Sequence, residues 1–205
     1  MPEVTSIFWD LGGVVLTNGW DRVSRRAAVE KFHLDADDFE DRHELLLDGF
    51  ESGVISLDEY IQRTVFYRER PFTKKDFEDF FFAQSRELPE TIEVLGELAR
   101  VSGCFMAALN NESLELNDFR IRRFHLRDYF SAFFSSCYLG CRKPNPKIYR
   151  LALEITQCRP EECIFVDDRP LNLECARELG MRALHFVNAK RLRADLNAED
   201  VPIGG

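Results

Sequence analysis

The sequence predicts an α/β protein: a parallel β-sheet with helices on both faces, interrupted after its first strand by an all-helical insert. Three observations carry that prediction. Short apolar runs rich in β-branched and aromatic residues recur along the chain and end on polar residues. Helical patterns separate most of these runs, as parallel pairing requires. Between about residues 18 and 85, however, helix signals follow one another without a convincing strand.

Residues 4–9, Val-Thr-Ser-Ile-Phe-Trp, form the first run, and Asp10, Leu11 and the pair Gly12-Gly13 follow it. That is the pattern of a buried strand entering a tight turn. Within the insert, Ser56-Leu57-Asp58-Glu59 reads as a capping box, with Leu57, Tyr60, Ile61, Thr64 and Val65 on one helical stripe behind it. Thr73-Lys74-Lys75-Asp76 reads as a second box, and its stripe of Phe77, Phe80 and Phe81 is better explained by packing than by ligand binding. Strand patterns return at 104–109, 132–135, 164–166 and 182–187, and helical patterns at 90–100, 112–119, 146–155 and 171–179. Asn145-Pro146 is a cap followed by proline at the first helical position. Leu179-Gly180 is a glycine stop.

Composition narrows the function classes. The chain has 205 residues, 45% hydrophobic and 31% charged, enough for one domain with a large insert or for a core with a small satellite domain. Its net charge is −9, and its Lys and Arg residues are dispersed among acidic ones, which argues against a nucleic-acid groove. No apolar run is long enough to span a membrane, and the N-terminal MPEVTSIFWD lacks the regions of a signal peptide, so the cytoplasm is the expected location. Cys104, Cys137, Cys141, Cys158, Cys163 and Cys175 do not follow the CxxC spacing of zinc sites and read as small buried hydrophobes. Nothing in the pattern bears on oligomeric state.

In open parallel sheets the ligand crevice lies outside the carboxyl ends of the strands. Four groups of residues fall there: Asp10, Asn110-Asn111, Arg142-Lys143-Pro144 and Asp167-Asp168. Three carboxylates at one edge would repel one another unless a cation neutralised them, and an all-oxygen ligand set favours Mg²⁺. Each group also has a plainer reading. Asp167-Asp168 is equally a helix start, Asn110-Asn111 either a phosphate cradle or an N-cap, and Lys143 either a point charge for phosphoryl oxygens or a solvated side chain.

Together these residues resemble the motifs of the haloacid dehalogenase (HAD) superfamily of phosphohydrolases over nearly the whole chain. FWDLGGVV corresponds to the first motif, FMAALNNE to the second, CRKPNPKIY to the third and IFVDDRPLN to the fourth. The resemblance is greatest to the branch with DLGN or DLGG in the first motif, which includes α-D-glucose-1-phosphate phosphatases. It implies a Rossmann-like catalytic core over 1–17 and 86–205, and a helical C1 cap over 18–85. It also implies that Asp10 is the nucleophile and that Mg²⁺ is held by Asp10, Asp167, Asp168 and the Gly12 carbonyl. Phosphate then falls to Gly12, Gly13, Asn110, Asn111 and Lys143, and the substrate to a small phosphorylated metabolite such as a sugar phosphate.

Two positions depart from the family. The general acid–base Asp two residues after the nucleophile is replaced by Gly12, and Asn110 stands where Ser or Thr is usual. Loss of a general acid costs about 10²–10⁴-fold in rate. These departures support a rival reading as a catalytically silent binding or regulatory protein. A second rival, a 2-haloacid dehalogenase, would need one aspartate and no metal, and Asp167-Asp168 argues against it. Asn18, Trp20 and the cluster Tyr67-Arg68-Glu69-Arg70 are candidates to line the cleft from the insert.

Overall fold

A computed structural model of the chain describes residues 2–203. Strands β1 (Ser6–Trp9), β2 (Phe105–Asn110), β3 (Ala132–Ser135), β4 (Cys163–Asp167) and β5 (Arg182–His185) form one sheet in the order β3-β2-β1-β4-β5. Every neighbouring pair is parallel. The central strands alternate between two hydrophobic cores because successive side chains point to opposite faces. Ile7, Trp9, Met106, Ala108, Ile164 and Val166 enter one core. Phe8, Ala107, Leu109, Cys163 and Phe165 enter the other.

Helices cover both faces. On the first lie α5 (Pro89–Val101), contributing Val94, Leu95 and Leu98, and α10 (Ala189–Ala198), contributing Leu192 and Leu196. On the second lie α8 (Pro146–Thr156) and α9 (Pro170–Glu178), which supply Ile148, Tyr149, Leu173 and Ala176. Helix α6 (Leu114–Arg123) and the single turn α7 (Ser136–Leu139) flank the carboxyl edge. The sequence pattern missed α10, whose ten residues include only two leucines among polar side chains. It also started α6 two residues early: residues 111–113 are not helical, and the Glu112 N–H is held by Ser136 Oγ at 2.9 Å.

Four helices follow β1 before the chain returns to the sheet: α1 (Arg22–Phe32), α2 (Ala36–Glu51), α3 (Leu57–Thr64) and α4 (Lys74–Ala83). They surround their own apolar cluster, including Phe32, Phe39, Phe50, Tyr60, Phe77 and Phe81, and Leu116 of α6 joins it from the core side. Thr73 and Asp76 form a reciprocal capping box. Ser56 is only half of one: it caps the Glu59 N–H, while the Glu59 carboxylate pairs with Arg63. All six cysteines are free, with Cys141, Cys163 and Cys175 buried and the others half-buried. Among the described residues no helix is long and apolar enough to cross a membrane.

Phe81 is fully buried and its ring lies 4.7 Å from that of Trp20 and 6.3 Å from that of Phe50. Phe81→Ala is expected to lower the unfolding free energy by about 3–5 kcal/mol, through lost transfer energy and the cavity left behind. Urea titration measures this, and a loss below about 1 kcal/mol would mean that the cluster collapses around the gap.

Candidate functional site

The sheet register builds the site. Trp9 pairs with Val166 of β4 and Ala108 of β2, so the next residue, Asp10, stands level with Asp167 at the carboxyl edge. The Asp10 N–H donates to the Val166 carbonyl at 2.9 Å, which fixes the backbone where the strand ends. Beyond it the chain turns sharply, with the Val15 and Leu16 N–H groups donating to the Leu11 carbonyl and the Gly13 N–H to Leu16. Gly13 has φ +79°, and a Cβ there would lie 2.5 Å from Asp168 Oδ2. Only glycine lets the Asp168 carboxylate approach this turn.

Lys143 ties the acids together. Its Nζ is 3.0 Å from Asp10 Oδ1 and 2.6 Å from Asp167 Oδ2, with all three side chains buried. Its backbone is held in turn by Asn111, which donates Nδ2–H to the Lys143 carbonyl at 2.9 Å and accepts the Lys143 N–H at 2.8 Å. Asp167 also accepts from the Arg169 N–H and from Asn172 Nδ2. Burial opposes the lysine charge, but the two carboxylates outweigh it and keep Lys143 protonated. Burial raises Asp10 most, Lys143 pulls it back and Asp167 adds to the rise, leaving its pKa at about 7.

One oxygen from each of Asp10, Asp167 and Asp168 lies within 4.8 Å of the others. Asp168 Oδ1 is buried and has no hydrogen-bond partner. A buried unpartnered carboxylate oxygen beside two further carboxylates fits a hard divalent cation, which neutralises the cluster and satisfies the orphan. Asp167, by contrast, already has protein donors on both oxygens.

A cavity of about 210 Å³ opens beside Asp10 and Lys143, with Asp167 and Asp168 outside its lining. Asp10, Gly12, Asn111 and Lys143 line it together with Asn18 and Trp20, which come from the start of the insert. Asn110 is not among its lining residues. Its amide donates to Asn117 and accepts from Ser135, because the β2–β3 register sets Asn110 beside Ser135. Neither Asn110 nor Asn111 caps α6, whose N-cap position is Ser113. Nor does Asp167 or Asp168 cap α9, whose N-cap position is Arg169. Tyr67 packs under the Arg42 guanidinium, away from the cavity, with Arg68 and Arg70 beside it.

What sequence reasoning passed over is the ion pairing of the rim, with Glu51 and Arg120 its unnamed members. Arg142 Nε meets Glu51 Oε2, on the last residue of α2, at 2.9 Å. Arg120 Nη1 meets Glu112 Oε2 at 2.8 Å, both buried. Burial raises the pKa of Glu51, and that of Glu112 to about 7. Glu112 lay inside the second motif, but Arg120 and Glu51 carried no signal beyond residue type.

A model of haloacid dehalogenase-like hydrolases matches residues 4–180. The chain is 33% identical over 156 residues to flavin mononucleotide hydrolase 1 of Arabidopsis thaliana, spanning 76% of this chain and 62% of that protein's length. It is 25% identical to a D-ribitol-5-phosphate phosphatase of Bacteroides thetaiotaomicron, over 94% of this chain and 97% of the relative. The fold matches a HAD family enzyme of the same organism with a TM-score of 0.78 at 20% identity, covering 90% of this chain and 94% of that one. That enzyme is also solved in complex with magnesium and inorganic phosphate, with a TM-score of 0.73 at 19% identity and coverage of 89% and 93%.

The raised Asp10 pKa has a stability consequence. Between its ordinary 3.8 and about 7, the folded protein binds a proton that the unfolded chain has lost, so stability falls as pH rises through that window. Without divalent cations, the wild type is expected to lose unfolding free energy between about pH 5 and about pH 8 relative to Asp10→Asn. Urea midpoints at the two pH values measure the difference, and parallel behaviour of the two proteins would contradict it.

Proposed function

This chain belongs to the haloacid dehalogenase-like hydrolase family, and within it we propose a Mg²⁺-dependent phosphatase that acts on a small phosphorylated metabolite through Asp10. The cluster of Asp10, Asp167 and Asp168, the first two bridged by Lys143, carries the reading. In this proposal residues 1–17 and 86–205 form the catalytic core, and 18–85 form a cap whose α2 reaches the cleft through Glu51.

Asp10, at the strand end and partly exposed to the cavity, attacks phosphorus and releases the alcohol. Water then cleaves the aspartyl-phosphate, dividing one difficult displacement into two. Lys143 holds Asp10 in position and offers its charge to the phosphoryl oxygens. Asn111 and Asp167 keep Lys143 in place, Asn111 from the backbone and Asp167 from the ammonium. Asp10, the Gly12 carbonyl, Asp168 and Asp167 would hold Mg²⁺. When bound, the ion supplies charge neutralisation for the acids and for the phosphate. The acidic cluster with its unpartnered Asp168 oxygen weighs against metal-free dehalogenation.

The cavity is smaller than the roughly 300–1,000 Å³ of drug-sized ligand sites. Its volume of about 210 Å³ supports a phosphate on a short polyol or sugar rather than on a flavin. A panel of phosphate esters assayed with Mg²⁺ tests the reading: kcat/KM is expected to be higher for sugar and polyol phosphates than for flavin mononucleotide, and Asp10→Asn is expected to abolish turnover. Absence of turnover for every ester would sink it. A binding test is independent of turnover. Mg²⁺ is expected to raise the melting temperature more at about pH 8 than at about pH 5.5, because its carboxylate ligands must lose their protons. Asp168→Asn is expected to remove that shift, and an equal shift in wild type and variant would exclude the assigned ligand.

A further inference from the structure

Releasing an ordinary alcohol from phosphate requires a proton for the leaving oxygen, and the following hydrolysis requires a base to take one from water. The clustered residues are committed elsewhere: Asp10 to phosphorus, Asp167 and Asp168 to cation and lysine, and Lys143 to two carboxylates. Three other carboxyl groups line the cavity: Asp21, Glu51 and Glu112. Asp21 is the cap of α1, accepting the Ser24 N–H at 2.8 Å. Glu51 is paired with Arg142 across the insert boundary.

Glu112 is tied to the reacting groups through its neighbours. It directly follows Asn111, which grips the Lys143 backbone. Its Oε1 accepts the Ser113 N–H at 3.2 Å and its Oε2 lies 2.8 Å from Arg120 Nη1. Arg120 is itself held by Ser85 Oγ at 3.0 Å and by the Thr17 carbonyl at 2.9 Å. The same Nη1 lies 3.7 Å from where a Cβ on Gly12 would be. The Arg120–Glu112 pair therefore flanks the turn two residues after the nucleophile, where the side chain is missing.

We propose that Glu112 is the proton donor and acceptor of the Asp10 reaction, and that Arg120 is the positioning residue that holds it beside Gly12. The inference rests on the phosphatase reading above. In the first step the Asp10–phosphorus bond forms, the bond from phosphorus to the alcohol oxygen breaks, and that oxygen takes the Glu112 proton. In the second, water attacks phosphorus, its proton passes to the Glu112 carboxylate, and the Asp10–phosphorus bond breaks to release phosphate. Glu112 ends protonated, as it began. The charged groups facing it are Arg120 from α6, Glu51 from α2 and Asp10 after β1; burial, opposed by Arg120, leaves its pKa at about 7, suited to both steps.

Two aryl esters separate this role from a structural one. The nitrophenolate of p-nitrophenyl phosphate departs without a proton, whereas the phenolate of phenyl phosphate, with a pKa of about 10 like tyrosine, gains from one. With Mg²⁺, Glu112→Gln is expected to lower kcat/KM, which reports the steps through phenolate release and not the shared hydrolysis of the aspartyl-phosphate, by about 100-fold or more on phenyl phosphate and by at most about 10-fold on p-nitrophenyl phosphate. Should that variant fail to fold because Arg120 is left unpaired, Glu112→Asp keeps a carboxyl opposite Arg120 but draws it back by one methylene, and is expected to show the same bias. Equal losses on the two esters, or the same bias in Glu51→Gln, would overturn the role of Glu112 while leaving Asp10 as nucleophile. Failure of the wild type to hydrolyse these esters and the sugar and polyol phosphates alike would overturn the phosphatase reading, and this inference with it.

Discussion

Three carboxylates gathered at the carboxyl edge of one sheet are the constraint on which the rest of this structure depends. Asp10 and Asp167 are buried and Asp168 is half-buried, and an unpaired charge held away from water costs several kcal/mol. Lys143 offsets part of that cost by bridging Asp10 and Asp167. A lysine can do so only if its backbone is placed as firmly as the strands are. The reciprocal bonds between Asn111 and Lys143 do this, fastening the end of β2 to the loop before α8. Asn172 and the Arg169 N–H complete the shell of Asp167 from the start of α9. The site is thus a junction of four chain segments rather than a feature of any one of them.

The cleft is less acidic than the molecule as a whole. The chain carries a net charge of −9, whereas the cavity lining sets Arg120, Arg142, Lys143 and Arg169 against Asp10, Asp21, Glu51 and Glu112. Balancing acids with cations where a dianionic phosphate ester would sit lets an acidic protein hold an anion, since nearby charges in a partly desolvated cleft outweigh distant ones screened by salt.

The insert is joined to the sheet by polar contacts as well as by packing. Ser136 Oγ accepts the Glu112 N–H and donates to the Glu51 carbonyl, and the Leu57 N–H donates to Glu115 of α6. The Arg142–Glu51 pair crosses the same boundary at the cavity rim. Exposed pairs of this kind are worth little, but Glu51 is substantially buried, so separating insert from core would leave a carboxylate and a guanidinium exposed to new surroundings together. Any movement that opens the cleft has to exchange these contacts for water.

Much of this protein was decided locally and can be read in the sequence. The apolar runs set the strands because a strand buried on both faces requires nearly continuous hydrophobicity, and the glycine pair after Asp10 announced a turn whose second position, Gly13 with φ +79°, favours glycine. Asp10 and the Asp167-Asp168 pair were legible because they stand at the ends of those runs, Lys143 because it lies in a proline-flanked loop before a capped helix, and the family resemblance bound them into one set. What lay beyond the sequence was the partner of each side chain. Asn110 turns to Ser135 and Asn117 because strand register sets β2 beside β3. Arg120 meets Glu112 and the Gly12 turn because a helix and two loops converge there. Residue types and spacing determine which groups reach the edge of the sheet; only packing in three dimensions decides which of them face one another, because hydrogen bonds and ion pairs depend on distances that chain order does not specify.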